Sequence, residues 1–89
     1  MTNVRIMTFY DELLLDIAQW IGSQDDEGAK AQAAALSQAL SQGERNVPAG
    51  GVQAILAAIP AFVAAHPGQR TSALHLRKYL ESVLAPAQA

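Results

Sequence analysis

The sequence predicts a small all-α domain of four helices, and three observations lead to this prediction. Apolar residues recur at helical spacing in two separate stretches, one near each end of the chain. Between them, residues 47–68 carry no formal charge, and Gln53 is the only polar side chain from residue 52 to residue 65. The one weakly alternating run, at residues 4–7, cannot make a sheet by itself.

Length and composition limit the protein to one domain that covers residues 1–89. The chain has no cysteine, which excludes disulfides, thiolate metal sites and a cysteine nucleophile. Its net charge is only −2, too small a charge of either sign to indicate nucleic acid or an anionic membrane as a partner. Asp11, Glu12 and Asp16 interrupt the first apolar stretch where a signal peptide would be continuous. We therefore expect a cytoplasmic protein.

The first helix is predicted over residues 8–22, after a frayed lead-in at residues 1–7. Thr8 is a candidate N-cap, and Gly22 is a candidate left-handed residue beyond the last turn. Phe9 makes the apolar face wider than one neighbouring helix would cover. That face consists of Tyr10, Leu13, Leu14, Ile17, Trp20 and Ile21.

The second helix is predicted over residues 24–42, beginning after Ser23 and ending at Gly43. Three carboxylates in its first turn favour the positive end of the helix dipole. Leu36 and Leu40 are its only large apolar residues, and serine, glutamine and alanine make up most of the remainder. We expect this helix to pack closely through alanine and to add little volume to the core.

The third helix, predicted over residues 50–66, is apolar on all sides and should be the central element of the fold. A segment of this kind must be wrapped by its neighbours, lie in a membrane or contact a partner. It is too short to span a bilayer, which needs about 20 apolar residues. Pro60 removes a backbone donor and clashes with the preceding turn, so we expect a break or a bend at this residue.

The fourth helix is predicted over residues 71–84, with Thr71 or Ser72 as its N-cap and a frayed tail at residues 85–89. One side of it is apolar, and the opposite side carries charged and polar residues. The apolar side consists of Ala73, Leu76, Tyr79, Leu80, Val83 and Leu84.

No motif in the sequence indicates enzymatic chemistry, a cofactor or a metal ion. Asp11, Glu12 and Asp16 are candidate paired carboxylates, and Glu12 and Asp16 share a helix face. All three are expected to lie opposite the apolar stripe, where a solvated acidic face is the simpler interpretation. His66 and His75 lack partners at metal-ligand spacing. The glycine pair at residues 50–51 lacks the Lys-Ser/Thr of a phosphate-binding loop, so it is interpreted as a flexible turn. We expect a protein that is not an enzyme.

The remaining interpretation is a surface that binds another protein. Four helices, one of them thin, do not obviously cover both a central helix that is apolar all round and a wide first helix. Tyrosine and tryptophan are favoured anchors at interfaces. We therefore predict a homodimer that also occupies a partner protein's surface, as an inhibitor, an anti-activator of a transcription regulator or an adaptor. The predicted contact residues are Phe9, Tyr10, Leu14, Trp20, Leu74, Leu76 and Tyr79.

Two alternatives remain open. The chain could be a small regulator that binds DNA in the manner of a helix-turn-helix protein, through Arg70, Arg77 and Lys78. Its net negative charge disfavours this alternative, because phosphate contacts supply most of the affinity for DNA. The second alternative is a structural subunit of a larger assembly.

Overall fold

The computed structural model describes the backbone of residues 3–88 and the side chains of residues 3–85. Met1, Thr2 and Ala89, which belong to the predicted lead-in and tail, lie outside the described residues. The prediction of an all-α fold with four helices is confirmed. Within the described part of the chain, the elements are β1 (Asn3–Arg5), α1 (Asp11–Gly22), α2 (Glu27–Ser41), β2 (Asn46–Pro48), α3 (Ala49–Ala65) and α4 (Arg70–Gln88).

The prediction of a frayed lead-in at residues 1–7 is corrected for residues 3–7, which are the part of it that the structure describes. β1 pairs antiparallel with β2, which places Val4 opposite Val47. Both valines are buried, as is Ile6, whose N–H donates to the Arg45 carbonyl at 2.9 Å. The weak alternation at residues 4–7 therefore does produce a strand, because a second short strand far along the chain supplies the missing hydrogen-bond partners.

α1 is preceded by a 3-10 turn, Thr8–Tyr10, rather than beginning at a Thr8 cap. No side chain caps either the turn or α1, so the capping role predicted for Thr8 is wrong. Ser23 follows the helix and has a right-handed conformation. Gly22 is the last residue of the helix and does not adopt the left-handed conformation that the sequence predicts. The predicted apolar stripe is present, and its fully covered residues are Leu14, Ile17, Ala18 and Ile21.

α2 begins later than predicted, because Asp26 and not Ser23 is its N-cap. The Asp26 carboxylate accepts a hydrogen bond from the Ala29 N–H at 3.0 Å. The helix ends just before Gly43, whose φ of 81° is a left-handed conformation that glycine adopts without strain. Its buried face is narrow, as the sequence predicts, and consists of Ala33, Leu36, Ala39 and Leu40.

α3 is the central helix and packs against α1, α2 and α4. The predicted flexible turn at residues 50–51 is instead its first turn. A side chain at Gly51 would place its Cβ 2.9 Å from both the Gln32 carbonyl oxygen and Leu36 Cβ. Glycine at this position therefore allows the close approach of α2 and α3.

Pro60 lies inside α3, which continues on both sides of it without a break. The proline is exposed, and it leaves the Leu56 carbonyl without its helical donor. Of the two predicted alternatives, the break does not occur here, and a bend within the continuous helix stays a prediction. The chain separates α3 from α4 at His66, followed by a 3-10 turn over Pro67–Gln69.

α4 begins at Arg70, so Thr71 and Ser72 lie inside its first turn, and it continues to Gln88, beyond the predicted end at residue 84. Its buried residues interlock with α3 to complete the core. They are Ala73, Leu76, Leu80 and Leu84. Across the described residues, no helix combines the length and the hydropathy that crossing a membrane would require.

Candidate functional site

The most exposed large apolar side chain among the described residues is Phe9, at the centre of the 3-10 turn. Its ring is 82% exposed, although Phe is a residue that folded proteins usually cover. Met7, two positions earlier, is 57% exposed. We call the area formed by Met7, Phe9, Tyr10 and Tyr79 the Phe9 surface.

Aromatic contacts and one hydrogen bond hold Phe9 in this outward position. The rings of Phe9 and Tyr10 meet edge to face with centroids 5.2 Å apart. Tyr10 in turn stacks on Tyr79 of α4, with centroids 4.7 Å apart and an interplanar angle of 24°. The Tyr79 hydroxyl accepts a hydrogen bond from the Met7 N–H at 2.7 Å. The turn is thus fixed to the last helix on both sides of Phe9, and the exposed ring is preorganised.

A groove of about 480 Å³ lies on one side of Phe9, between α1 and the first turns of α4. We call it the acidic groove. α1 contributes Glu12, Leu13 and Asp16 to its wall, and the opposite wall is polar. That opposite wall consists of Gln69, Ser72 and His75. Both carboxylates are exposed, and none of the lining residues is lysine or arginine, so the groove favours cationic groups.

A second groove, of about 820 Å³, lies on the other side of Phe9, towards the middle of α4. We call it the Met7 groove, because Met7 lines it together with Phe9 and Val83. Its charged lining residues are Arg5 and Arg45. Phe9 therefore separates an acidic groove from a groove whose charged residues are arginines.

An ion pair lies at the edge of the Met7 groove. The Arg45 guanidinium donates to the Asp11 carboxylate at 2.6 Å, and about a quarter of each side chain is exposed. This hydrogen bond raises the pKa of Arg45 above its usual value. The pair joins the loop before β2 to the first residue of α1, and it removes Asp11 from the solvated acidic face on which the sequence places it.

The structure divides the seven predicted contact residues into three groups. Phe9, Tyr10 and Tyr79 come together in the Phe9 surface. Leu14 and Leu76 are fully buried and belong to the core, so the prediction that they contact a partner is wrong for this fold. Their positions on the apolar stripes of α1 and α4 are covered by the packing of the helices.

The last two predicted contact residues lie away from Phe9. Trp20 packs edge to face on Phe62, with ring centroids 5.9 Å apart, at the far end of α1. Leu74 is 39% exposed, but it lies about 140° around α4 from Tyr79, given 100° per helical residue. Neither residue extends the Phe9 surface directly.

Sequence reasoning missed Met7 as a member of the Phe9 surface, and it missed Arg5 and Arg45 in the groove beside it. Met7 and Arg5 fall in the segment that is predicted to fray, and Arg45 falls in a loop. The pairing of β1 with β2 brings all three residues beside α4. The weak alternation at residues 4–7 is the one signal that could have drawn attention to them.

The other candidate sites gain no chemistry from the structure. His66 ends α3, where its ring stacks on Phe62 and its Nδ1 lies 3.2 Å from the Phe62 carbonyl oxygen. His75 lies in the wall of the acidic groove. Among the described residues, no three His, Asp or Glu side chains are grouped as metal ligands would be, and no buried side-chain polar atom is left without a partner.

The three arginine and lysine residues of the DNA-binding alternative are all exposed on α4. Arg77 is 3.8 Å from Glu81, which partly neutralises it. No known family model, curated protein or solved structure matches this chain. Function must therefore be inferred from the surface itself.

Proposed function

We propose that this protein is a small, non-enzymatic interaction module that acts by occupying the surface of another protein. Inhibitors, anti-activators of transcription regulators and adaptors work in this way. The observation that carries the proposal is Phe9, which is 82% exposed and held outward by the Tyr10–Tyr79 stack. Fully burying a Phe side chain is worth about 1.5–3 kcal/mol, so a partner that covers Phe9 gains this free energy.

Phe9 is also held in place before a partner binds, and this preorganisation supports the proposal. A flexible side chain loses about 0.5–1.5 kcal/mol of conformational freedom when an interface immobilises it. Phe9 is already positioned by its edge-to-face contact with Tyr10, and its backbone is held by the bond between Met7 and Tyr79. Most of the free energy from covering the ring is therefore left for affinity. We also propose that the protein is cytoplasmic and can form a homodimer.

The alternative of a DNA-binding regulator is supported less well by the surface. Phosphate would be attracted to Arg70 and Lys78, but Glu81 partly neutralises Arg77 between them. The preorganised aromatic lies beside carboxylates that repel phosphate. A structural subunit of a larger assembly would use the same Phe9 surface, but its partner would be permanent.

The test compares capture of partner proteins by wild type and by Phe9→Ser, with each protein immobilised and exposed to lysate of the native cell. Bound proteins are identified and quantified by mass spectrometry, and the affinity of any protein captured by wild type is then measured with purified material. We expect Phe9→Ser to weaken binding by about 2 kcal/mol or more, the usual threshold for a central interface residue.

Gln38→Glu and Gln42→Lys are the control variants, because neither glutamine lines a groove beside Phe9. Both residues are exposed on or just beyond α2, and we expect binding within about 0.5 kcal/mol of wild type. Charged substitutions at Tyr10 and Tyr79 should also abolish binding. Because these two rings hold the turn, circular dichroism must first show that those variants keep their helices. If a well-folded Phe9→Ser variant binds the partner like wild type and the Gln38 and Gln42 variants bind it more weakly, the interface lies on α2.

A further inference from the structure

We propose that the Phe9 surface binds a second copy of this chain, in a two-fold dimer whose axis passes beside Phe9. The inference rests on the proposed function, because it names one occupant of the same surface. It is carried by the arrangement of charge on the two sides of Phe9.

The two grooves follow one another along α4, with the aromatic stack between them. Ser72 and His75 line the acidic groove, whereas Tyr79 and Val83 line the Met7 groove. Phe9 lines both grooves. A rotation of 180° about an axis through Phe9 therefore exchanges the two sides, so that each groove of one copy meets the other groove of its partner.

The charges on the two sides are opposite. Glu12 and Asp16 border the acidic groove, and Arg5 borders the Met7 groove, with Arg45 beneath it. Within the part of the chain that the structure describes, Arg5, Glu12 and Asp16 form no ion pair. In the two-fold arrangement the carboxylates of each copy face Arg5 of the other. An isologous interface requires this self-complementarity. Because of the two-fold symmetry, each favourable charge pair occurs twice in the interface.

Apolar area at the centre of the surface supplies the driving force. Phe9 and Met7 are 82% and 57% exposed, and the two-fold axis brings both side chains of one copy against those of the other. The surface is small, because residues 72–83 span only about 16 Å along α4. Interfaces below the standard size of roughly 800 Å² per partner are usually weak, so we expect a dissociation constant in the micromolar range. A different partner protein would compete with the second copy for Phe9.

The test is the mass of the protein in solution, measured by sedimentation equilibrium across a concentration series on either side of that range. We expect wild type to move from the 9.4 kDa chain towards twice this mass as concentration rises. Phe9→Ser should raise the dissociation constant by about tenfold or more, because it removes the central apolar contact. A monomer at every concentration, or a dimer that Phe9→Ser leaves unchanged, would overturn the proposal.

Charge exchange tests the two-fold pairing independently of Phe9. Arg5→Glu and Glu12→Arg each place like charges opposite one another and should weaken the dimer, whereas the double variant restores opposite charges and should recover it. Lys30→Glu and Glu27→Arg make the same changes in net charge on α2, outside the Phe9 surface and its two grooves. These control variants should leave the mass distribution unchanged. A double variant that dissociates more than either single variant would refute the pairing.

The results also separate this inference from the proposed function. If the protein stays monomeric while Phe9→Ser abolishes capture of a different protein, the second copy is the wrong occupant and the interaction module stands. If neither self-association nor capture depends on Phe9, both proposals fail. Each variant must retain the circular dichroism and melting temperature of a folded protein, and Met7→Ser provides a second probe of the apolar centre if Phe9→Ser does not.

Discussion

Gly51→Ala should destabilise the protein, although alanine is the better helix former. In a helix interior, replacing glycine with alanine gains up to about 1 kcal/mol. At Gly51 the added methyl group would lie 2.9 Å from the Gln32 carbonyl oxygen and 2.9 Å from Leu36 Cβ, so α2 and α3 must move apart. Overpacking of this kind costs about 1–3 kcal/mol. With the middle of this range, about 2 kcal/mol, as the cost, we expect a net loss of about 1 kcal/mol in the free energy of unfolding.

Gly22→Ala is the matched control for this prediction. Gly22 is also helical, but no atom outside its chain neighbours and its own helix backbone lies within 4 Å of the position that its Cβ would take. The same substitution should be neutral or stabilising there, by up to about 1 kcal/mol. Urea unfolding followed by circular dichroism measures both variants. A Gly51→Ala variant as stable as wild type would show that α2 is free to move, and the close contact would then not be the reason for glycine.

Three further outcomes follow from the structure. Pro60→Ala should raise the free energy of unfolding by about 1–3 kcal/mol in urea titrations, because it restores a helical hydrogen bond at an exposed position; a loss of stability would show that packing requires a bend there. Leu76→Ala should lower the free energy of unfolding by about 2–5 kcal/mol, the usual result for a buried leucine, and a neutral result would contradict its burial. Tyr79→Phe keeps the stack but removes the acceptor of the Met7 N–H, so hydrogen exchange at that amide should accelerate while the helices keep their protection; unchanged exchange would mean that the bond does not hold the turn.

The number and order of the helices could be predicted from the sequence because apolar spacing is a local property. Leu14, Ile17 and Ile21 fall on one side of any helix that contains them, and in the structure that side is covered. The exact ends were harder to predict. Ser23 and Asp26 are both good N-cap residues, and only the Ala29 N–H that Asp26 reaches distinguishes them.

The candidate site was less predictable, because exposure depends on contacts between distant segments. Tyr79 and Leu76 share one stripe of α4, yet Leu76 is covered by the core while Tyr79 stays partly exposed beside Phe9. Spacing identifies the stripe but does not show where its covered part ends. Met7 belongs to the Phe9 surface only because Val4 pairs with Val47. A three-residue strand is too short for its sequence to indicate pairing with a strand so far along the chain.

The hydrogen bond between Met7 and Tyr79 has a consequence for the order in which the protein folds. Its two residues are 72 positions apart, whereas α1, α2 and α3 can pack through contacts between neighbours in the chain. Each doubling of the loop that a contact closes adds about 0.6 kcal/mol of entropy loss. We expect the helical core to form early in the transition state and this contact to form after it. A chain in which residues 7–10 have not yet docked on α4 would then have packed helices without the Phe9 surface, and under the proposed function it would not bind a partner.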